Sequence, residues 1–309
     1  MNGQVKILDQ SIIRSRVRVL DFFELMKPEL TFLSVLTTLC GFYLASTGSF
    51  NFWLFLHTAI GTALVGGGAG ALNQYIERIY DGLMKRTERR PLPAGRLTPI
   101  GALIFGITIS LIGIVQLTIF TNPLTGFLAT LTLTTYLFLY TPLKRITPIA
   151  TLIGGIPGAL PPMMGWTAVR NEITIEAWIL FGILFCWHMP HFLSLAWMYR
   201  KDYARAGFKI LTVTDQSGER TTRQILIYCI ALIPLSIAPA MISMTGLFGA
   251  LGGFLLGLAF ISIAVVLVRS SGQTTPEALA KINFHARRMF VASLIYLPAL
   301  ITMMSFDKI

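Results

Sequence analysis

Three oxygen-bearing side chains, Asn73, Glu77 and Asp81, stand at i, i+4 and i+8 in the stretch NQYIERIYDGLMKRTERRPLPAG, residues 73–95. On a helix that spacing confines them to an arc of about 80° and a length of about 12 Å, so they share one face. Such a face can hold one or two hard cations. Arg78, Lys85, Arg86, Arg89 and Arg90 follow within the same stretch. Carboxylates that hold a divalent metal, with cations beside them, are what a metal-bridged diphosphate requires. A solvated loop whose charges only set membrane topology would account for the arginines and lysines. It would not account for acids aligned on a helix face at a membrane boundary, where burying them is expensive.

Three further clusters can do chemistry. Asp202 stands among cations in YRKDYARAGFKIL, residues 199–211. It is either a surface ion pair, worth little, or a second metal or phosphate contact facing Asp81. Lys144 and Arg145 follow Tyr140, Thr141 and Pro142. They either set topology or hold a leaving diphosphate, whose developing charge cations stabilise. His188 and His191 sit three apart in the apolar run WHMPHF. A lone intramembrane histidine is usually a hydrogen-bonded packing residue, whereas a pair at this spacing can touch a metal or a haem.

The elements that must position these groups are membrane helices. Of 309 residues 54% are hydrophobic and only 13% charged, against about 25% charged in an ordinary soluble domain. Nine spans are predicted, over 29–47, 52–75, 99–120, 122–141, 148–168, 175–198, 222–244, 246–268 and 286–305. The expected architecture is an all-α bundle around a central cavity open to the cytoplasmic side, with residues 1–27 as a cytoplasmic segment and 28–309 as one transmembrane domain. The fifth span, with Gly154, Gly155, Pro157, Gly158, Pro161 and Pro162, either lines a cavity or packs closely through small residues.

The net charge of +11 would suggest nucleic acid in a soluble protein; here it is a topology signal. With nine spans, all Lys and Arg except Arg170 and Lys308 fall on one side. The positive-inside rule makes that side, with the N-terminus, cytoplasmic and leaves the C-terminus outside. The two longest charged loops, after spans two and six, fall on the same face and are expected to meet over one cavity. Residues 1–27 hold Asp9, Asp21 and Glu24 and no apolar core with a cleavage site, so neither a secretory signal nor a mitochondrial transit peptide is expected. The stretch from Ile13 to Met26 is expected as an interfacial helix. Cys40, Cys186 and Cys229 are far apart inside apolar segments and read as small core residues.

The stretch from Asn73 to Gly95 resembles the first aspartate-rich motif of the UbiA superfamily of intramembrane prenyltransferases. Within that superfamily it is most similar to the protohaem IX farnesyltransferase family, with its NxxxERxxDxxMxRTxxRPLPxG pattern. Tyr140 to Thr147, Gly154 to Trp166, Trp187 to Phe192 and Asp202 to Leu211 resemble that family's later segments, in order and spacing. His188 stands where the family has Gln, and Ile210 where it has Met. Ala206 stands where other superfamily members have the second acid of DxxxD, which is the form expected of the haem branch.

The resemblance implies a farnesyl diphosphate donor, a haem b acceptor and a prokaryotic plasma (inner) membrane. It implies Mg²⁺ held by Asn73, Glu77, Asp81 and Asp202, and a diphosphate met by Arg78, Lys85, Arg86, Arg90, Lys144, Arg145 and Lys201. His191, and secondarily His188, are the candidates to sit near the haem iron or a propionate. Association with a haem-modifying or oxidase-assembly protein is compatible with it. The competing readings are a transferase acting on an aromatic or quinone precursor, a membrane transporter and a haem-binding assembly factor without turnover. A transporter predicts acids near mid-membrane, and the central parts of the nine spans are nearly free of them.

Overall fold

Runs of apolar residues opened by capping residues fold here as helices. Asn51, Thr98, Asn122 and Thr275 each accept a hydrogen bond from the backbone N–H three residues on. The last three are followed at once by Pro99, Pro123 and Pro276, whose ring suits the first helical turn. The computed structural model describes residues 19–309. In order the helices are α1 (Val19–Leu25), α2 (Pro28–Ala45), α3 (Phe52–Asp81), α4 (Pro99–Phe120) and α5 (Pro123–Thr134), then a π-helical turn (Thr135–Tyr140) running into α6 (Thr141–Leu143). There follow α7 (Ala150–Arg170), α8 (Ile175–Met198), α9 (Arg200–Arg205), α10 (Leu211–Thr214), α11 (Glu219–Met241), α12 (Leu247–Arg269) and α13 (Pro276–Phe306). No β-strand occurs among the described residues; Thr245 and Lys308 form an isolated bridge.

Eight helical segments among the described residues are long and apolar enough to cross a membrane, counting Pro123–Leu143 as one. The expected fifth span coincides with α7, which is 21 residues long. Its prolines and glycines replace the apolar side chains that mark the other eight, so length and composition return eight spans rather than nine. Helix α1 falls within the stretch from 13 to 26 expected to be an interfacial helix; residues 13–18 lie outside the described residues.

Helix α7 answers both halves of its expectation. A Cβ added at Gly165 would lie 1.8 Å from the Thr38 carbonyl oxygen, and one at Gly41 would lie 2.0 Å from that of Pro162. The α2–α7 crossing therefore requires glycine on both helices, the close approach by which helices associate in lipid. Farther along, Pro157, Gly158 and Pro161 of the same helix line the central cavity.

The ends of the bundle differ. At one end the loop after α3 meets the segment after α8. Arg86 Nη2 donates to the Tyr203 hydroxyl at 2.9 Å, and Met84 packs with Ala206 and Phe208. The two long charged loops thus come together as expected. At the other end Lys308 donates to the carbonyl oxygens of Tyr43 and Ser46, closing the C-terminus onto α2. Cys186 and Cys229 are buried, Cys40 is half-buried, and all three are free thiols.

Candidate active site

A cavity of about 460 Å³ lies between α2, α3, the π-helical turn, α7 and α8. Its polar end is built by α3, which runs unbroken to Asp81, so the i, i+4, i+8 spacing becomes a physical face. Asn73, Glu77 and Asp81 are buried and line the cavity. Each has a cationic partner. Lys27 Nζ donates to Asn73 Oδ1 at 2.5 Å, Lys144 Nζ pairs with Glu77 Oε1 at 2.5 Å, and Arg90 Nη1 reaches both Asp81 oxygens at 2.8 Å. Buried charges require this kind of pairing, because an unpaired one would lose its hydration without compensation.

Local folding aims these partners. Thr87 Oγ1 donates to the Asp81 carbonyl at 2.8 Å, curling the loop so that Arg90 returns over the helix end. Asn73 Nδ2 donates to Thr141 Oγ1 at 3.1 Å, and Thr141 in turn donates to the Tyr136 carbonyl across the π-helical turn. That wider turn, a frequent feature of functional sites, presents Tyr136 and Tyr140 to the cavity just before Lys144. Burial opposes charge on Lys144, but the Glu77 carboxylate outweighs it and holds the ammonium above its ordinary range. Lys27 goes the other way. Burial, then the Arg90 cation, push it down to about 7, while Glu77 and Asp81 pull upward.

Several expected residues fall elsewhere. Arg78 neighbours Glu77 at 100° around the helix; it donates to the Tyr75 carbonyl and lies over that ring. Arg145, next to Lys144, lies over Tyr80. Lys85 and Lys201 are exposed and do not line the cavity. Asp202, expected opposite Asp81, is likewise absent from the lining; its carboxylate pairs with Arg205 at 3.1 Å. The reason is again helical geometry: Tyr203 faces the cavity, so its neighbour on the short α9 cannot. Of the expected diphosphate contacts, Arg86, Arg90 and Lys144 line the cavity.

Other residues enter without having been expected. Lys27 had only its position to mark it, a cation directly before Pro28, and it sits there with φ 51°. Tyr203 and Phe208 bring the second motif to the cavity by aromatic surface in place of an acid. No group of three or more His, Cys, Asp or Glu suited to a metal occurs among the described residues. The polar end instead offers two carboxylates and an amide oxygen on one face. That hard-oxygen set suits Mg²⁺, which is usually held by one or two carboxylates with phosphate and water oxygens completing its shell.

Away from the charges the wall becomes apolar and aromatic, through Val65, Met164, Leu184, Trp187 and Phe192. His188 and His191 line this part. The Nδ1 of His188 is 2.8 Å from the Leu184 carbonyl, and that of His191 is 2.8 Å from Ser293 Oγ on α13. Trp187 Nε1 donates to the Ser293 carbonyl at 2.8 Å. One cavity therefore joins a charge-compensated oxygen site to an apolar chamber with two imidazoles.

Known proteins resemble this chain in sequence and in fold. A family model described as the UbiA prenyltransferase family matches residues 34–294. The chain is 43% identical over 297 residues to a protoheme IX farnesyltransferase of Solibacter usitatus (strain Ellin6076), covering 93% of this chain and 98% of that protein. It is 41% identical over 287 residues to one of Salinibacter ruber (strain DSM 13855 / M31), covering 93% and 98%. Among solved structures, one of a digeranylgeranylglyceryl phosphate synthase superposes with a TM-score of 0.73 at 16% identity, over 93% of this chain and 98% of that one. A UbiA homologue from Archaeoglobus fulgidus bound to GPP and Mg²⁺ superposes with a TM-score of 0.62 at 12% identity, over 90% and 99%. At such identities the structural likeness carries the fold.

Proposed function

The chain belongs to the UbiA prenyltransferase family, and from that premise we propose that it transfers the farnesyl group of farnesyl diphosphate to a vinyl group of haem b, giving haem O and diphosphate. The observation that carries this reading is the cavity itself, with buried oxygens and cations at one end and an apolar, imidazole-bearing chamber at the other.

Asn73, Glu77 and Asp81 would hold Mg²⁺, with Asp202 as a fourth oxygen if it leaves Arg205. Bound there with the diphosphate, the metal supplies Lewis-acid stabilisation of charge on the leaving oxygens. Lys27, Arg90 and Lys144 already lie against the metal-holding groups, so they can exchange an amide or carboxylate oxygen for a phosphate oxygen without crossing the cavity. Arg86, beside Tyr203 in the cavity wall, would meet the outer phosphate. Arg78, Lys85, Arg145 and Lys201 would act at longer range, by the positive field at this end of the bundle.

The transfer then balances as follows. The C1–O bond of the allylic diphosphate breaks and its electron pair leaves with the diphosphate. The terminal carbon of a haem vinyl group bonds to C1. Water adds to the adjacent cationic carbon and releases a proton, leaving a hydroxyethylfarnesyl substituent. The apolar walls exclude bulk water that would otherwise capture the farnesyl cation first.

The protein is a multi-pass membrane protein. We place the end carrying Lys27, Asp81 and Tyr203 on the cytoplasmic side of a prokaryotic inner membrane, and the end carrying Arg170 and Lys308 outside. The test is to give detergent-purified protein farnesyl diphosphate, haem b and Mg²⁺ and weigh the haem. Gain of one farnesyl and one hydroxyl group, abolished by chelator and restored by Mg²⁺, is the expected result. Unmodified haem alongside prenylation of an aromatic acid would replace haem b as the acceptor.

A further inference from the structure

One contact in the apolar chamber specifies more than packing. Ser293 Oγ donates its single hydrogen to the Phe290 carbonyl at 2.6 Å. The same oxygen lies 2.8 Å from His191 Nδ1. With that hydrogen on the Phe290 carbonyl, Ser293 accepts from His191, which then carries its proton on Nδ1 and a bare lone pair on Nε2. The ring cannot readily turn to exchange them. It stacks on Trp187 with centroids 4.7 Å apart and lies against Phe290 at 4.9 Å. Trp187 is itself tied to the Ser293 carbonyl. Ser293 thus anchors both residues, and Nε2 lies on the opposite edge of a ring that lines the cavity.

His188 is also an Nδ1–H tautomer, because the Leu184 carbonyl can only accept. Its ring is held by packing instead: it stacks on Phe192 with centroids 5.0 Å apart, and a Cβ built on Gly158 of α7 would lie 2.8 Å from both Cε1 and Nε2 and 3.3 Å from Cδ2, over the ring. No hydrogen-bond partner for His191 Nε2 occurs among the described residues.

We infer that His191 Nε2 is an axial ligand to the iron of the porphyrin substrate, and that Ser293 is the positioning residue that fixes its tautomer and ring plane. This rests on the haem reading above and adds the coordinating atom. A ligating histidine characteristically donates its other N–H to an oxygen that orients the ring and raises its basicity, the part Ser293 plays here. Coordination would turn the face of the macrocycle toward His191, leaving its vinyl-bearing edge free to reach the diphosphate end.

The test is resonance Raman of ferrous haem bound to the full-length purified protein, with haem and metal-free protoporphyrin titrations beside it. The wild type is expected to show an iron–histidine stretch and to bind haem about tenfold or more tighter than the metal-free porphyrin. His191→Ala should lose the band and regain it with added imidazole. Ser293→Ala should keep a folded protein but shift the band to lower frequency and weaken haem about tenfold, with Ser293→Thr restoring both. Loss of the band in His188→Gln but not in His191→Ala would overturn the assignment. So would equal binding of haem and metal-free porphyrin. Protein that farnesylates haem without the band refutes the ligand and leaves the transfer standing; protein that shows the band but never modifies haem does the reverse.

Discussion

The two ends of the cavity are built in opposite ways. The diphosphate end takes Asn73, Glu77 and Asp81 from consecutive turns of one helix and closes over them with Arg90, nine residues after Asp81. The imidazole end takes His191 from α8 and Ser293 from α13, 102 residues away. The oxygen face of the first end is written locally, with Lys27 and Lys144 brought to it by tertiary contact, and it carries charge; the second is assembled by tertiary contact throughout and carries almost none. The donor chemistry therefore depends on electrostatic balance, and acceptor placement depends on helix packing.

That contrast can be broken at graded points. Glu77→Gln should have the largest effect on catalysis. It removes a buried carboxylate and should lower haem farnesylation by about 10²–10³-fold, within the range seen when one group stabilising transition-state charge is lost; steady-state turnover of folded, membrane-extracted protein checks it. Lys144→Met should instead act on stability. It strands Glu77 without its partner at 2.5 Å, and breaking a buried pair from one side costs about 3–5 kcal/mol. The Glu77→Gln/Lys144→Met double variant should melt higher than Lys144→Met alone, since it strands no charge. Lys27→Met should raise the KM for farnesyl diphosphate roughly tenfold, ~1.4 kcal/mol, and leave haem affinity unchanged. Asp202→Asn should do least. Its pair with Arg205 is half-exposed, so a loss of under about fivefold in turnover is expected. A loss equal to that of Glu77→Gln would mean that Asp202 swings into the site when substrate binds.

The same contrast explains what the chain disclosed in advance. Glu77 and Asp81 were legible because helical periodicity converts spacing into a shared face without knowledge of any neighbour. The meeting of the loops after α3 and α8 was legible from charge and topology, and Arg86 on Tyr203 realises it. Asp202 was misplaced because a motif identifies a segment but not its rotation; one residue's step on α9 brings Tyr203 to the cavity and turns Asp202 to Arg205. Ser293 could not be found at all. It is a small polar residue in an apolar helix, and only the packing of α13 on α8 gives it His191 as a partner. Lys27 looked like one more cytoplasmic cation until the backbone before Pro28 turned it onto Asn73. The span count of eight by composition has the same root. Helix α7 gave up apolar side chains for Gly165, Pro157 and Gly158, whose value lies in what approaches them.

The most direct test of a cavity with separable ends is to measure the two ligands independently on Asp81→Asn. Farnesyl thiolodiphosphate with Mg²⁺, which resists cleavage, would report one end by calorimetry, and haem b would report the other by Soret titration. The predicted result is loss of at least about fiftyfold in diphosphate affinity, with haem affinity unchanged. Equal weakening of both ligands, or undiminished diphosphate binding, would contradict it.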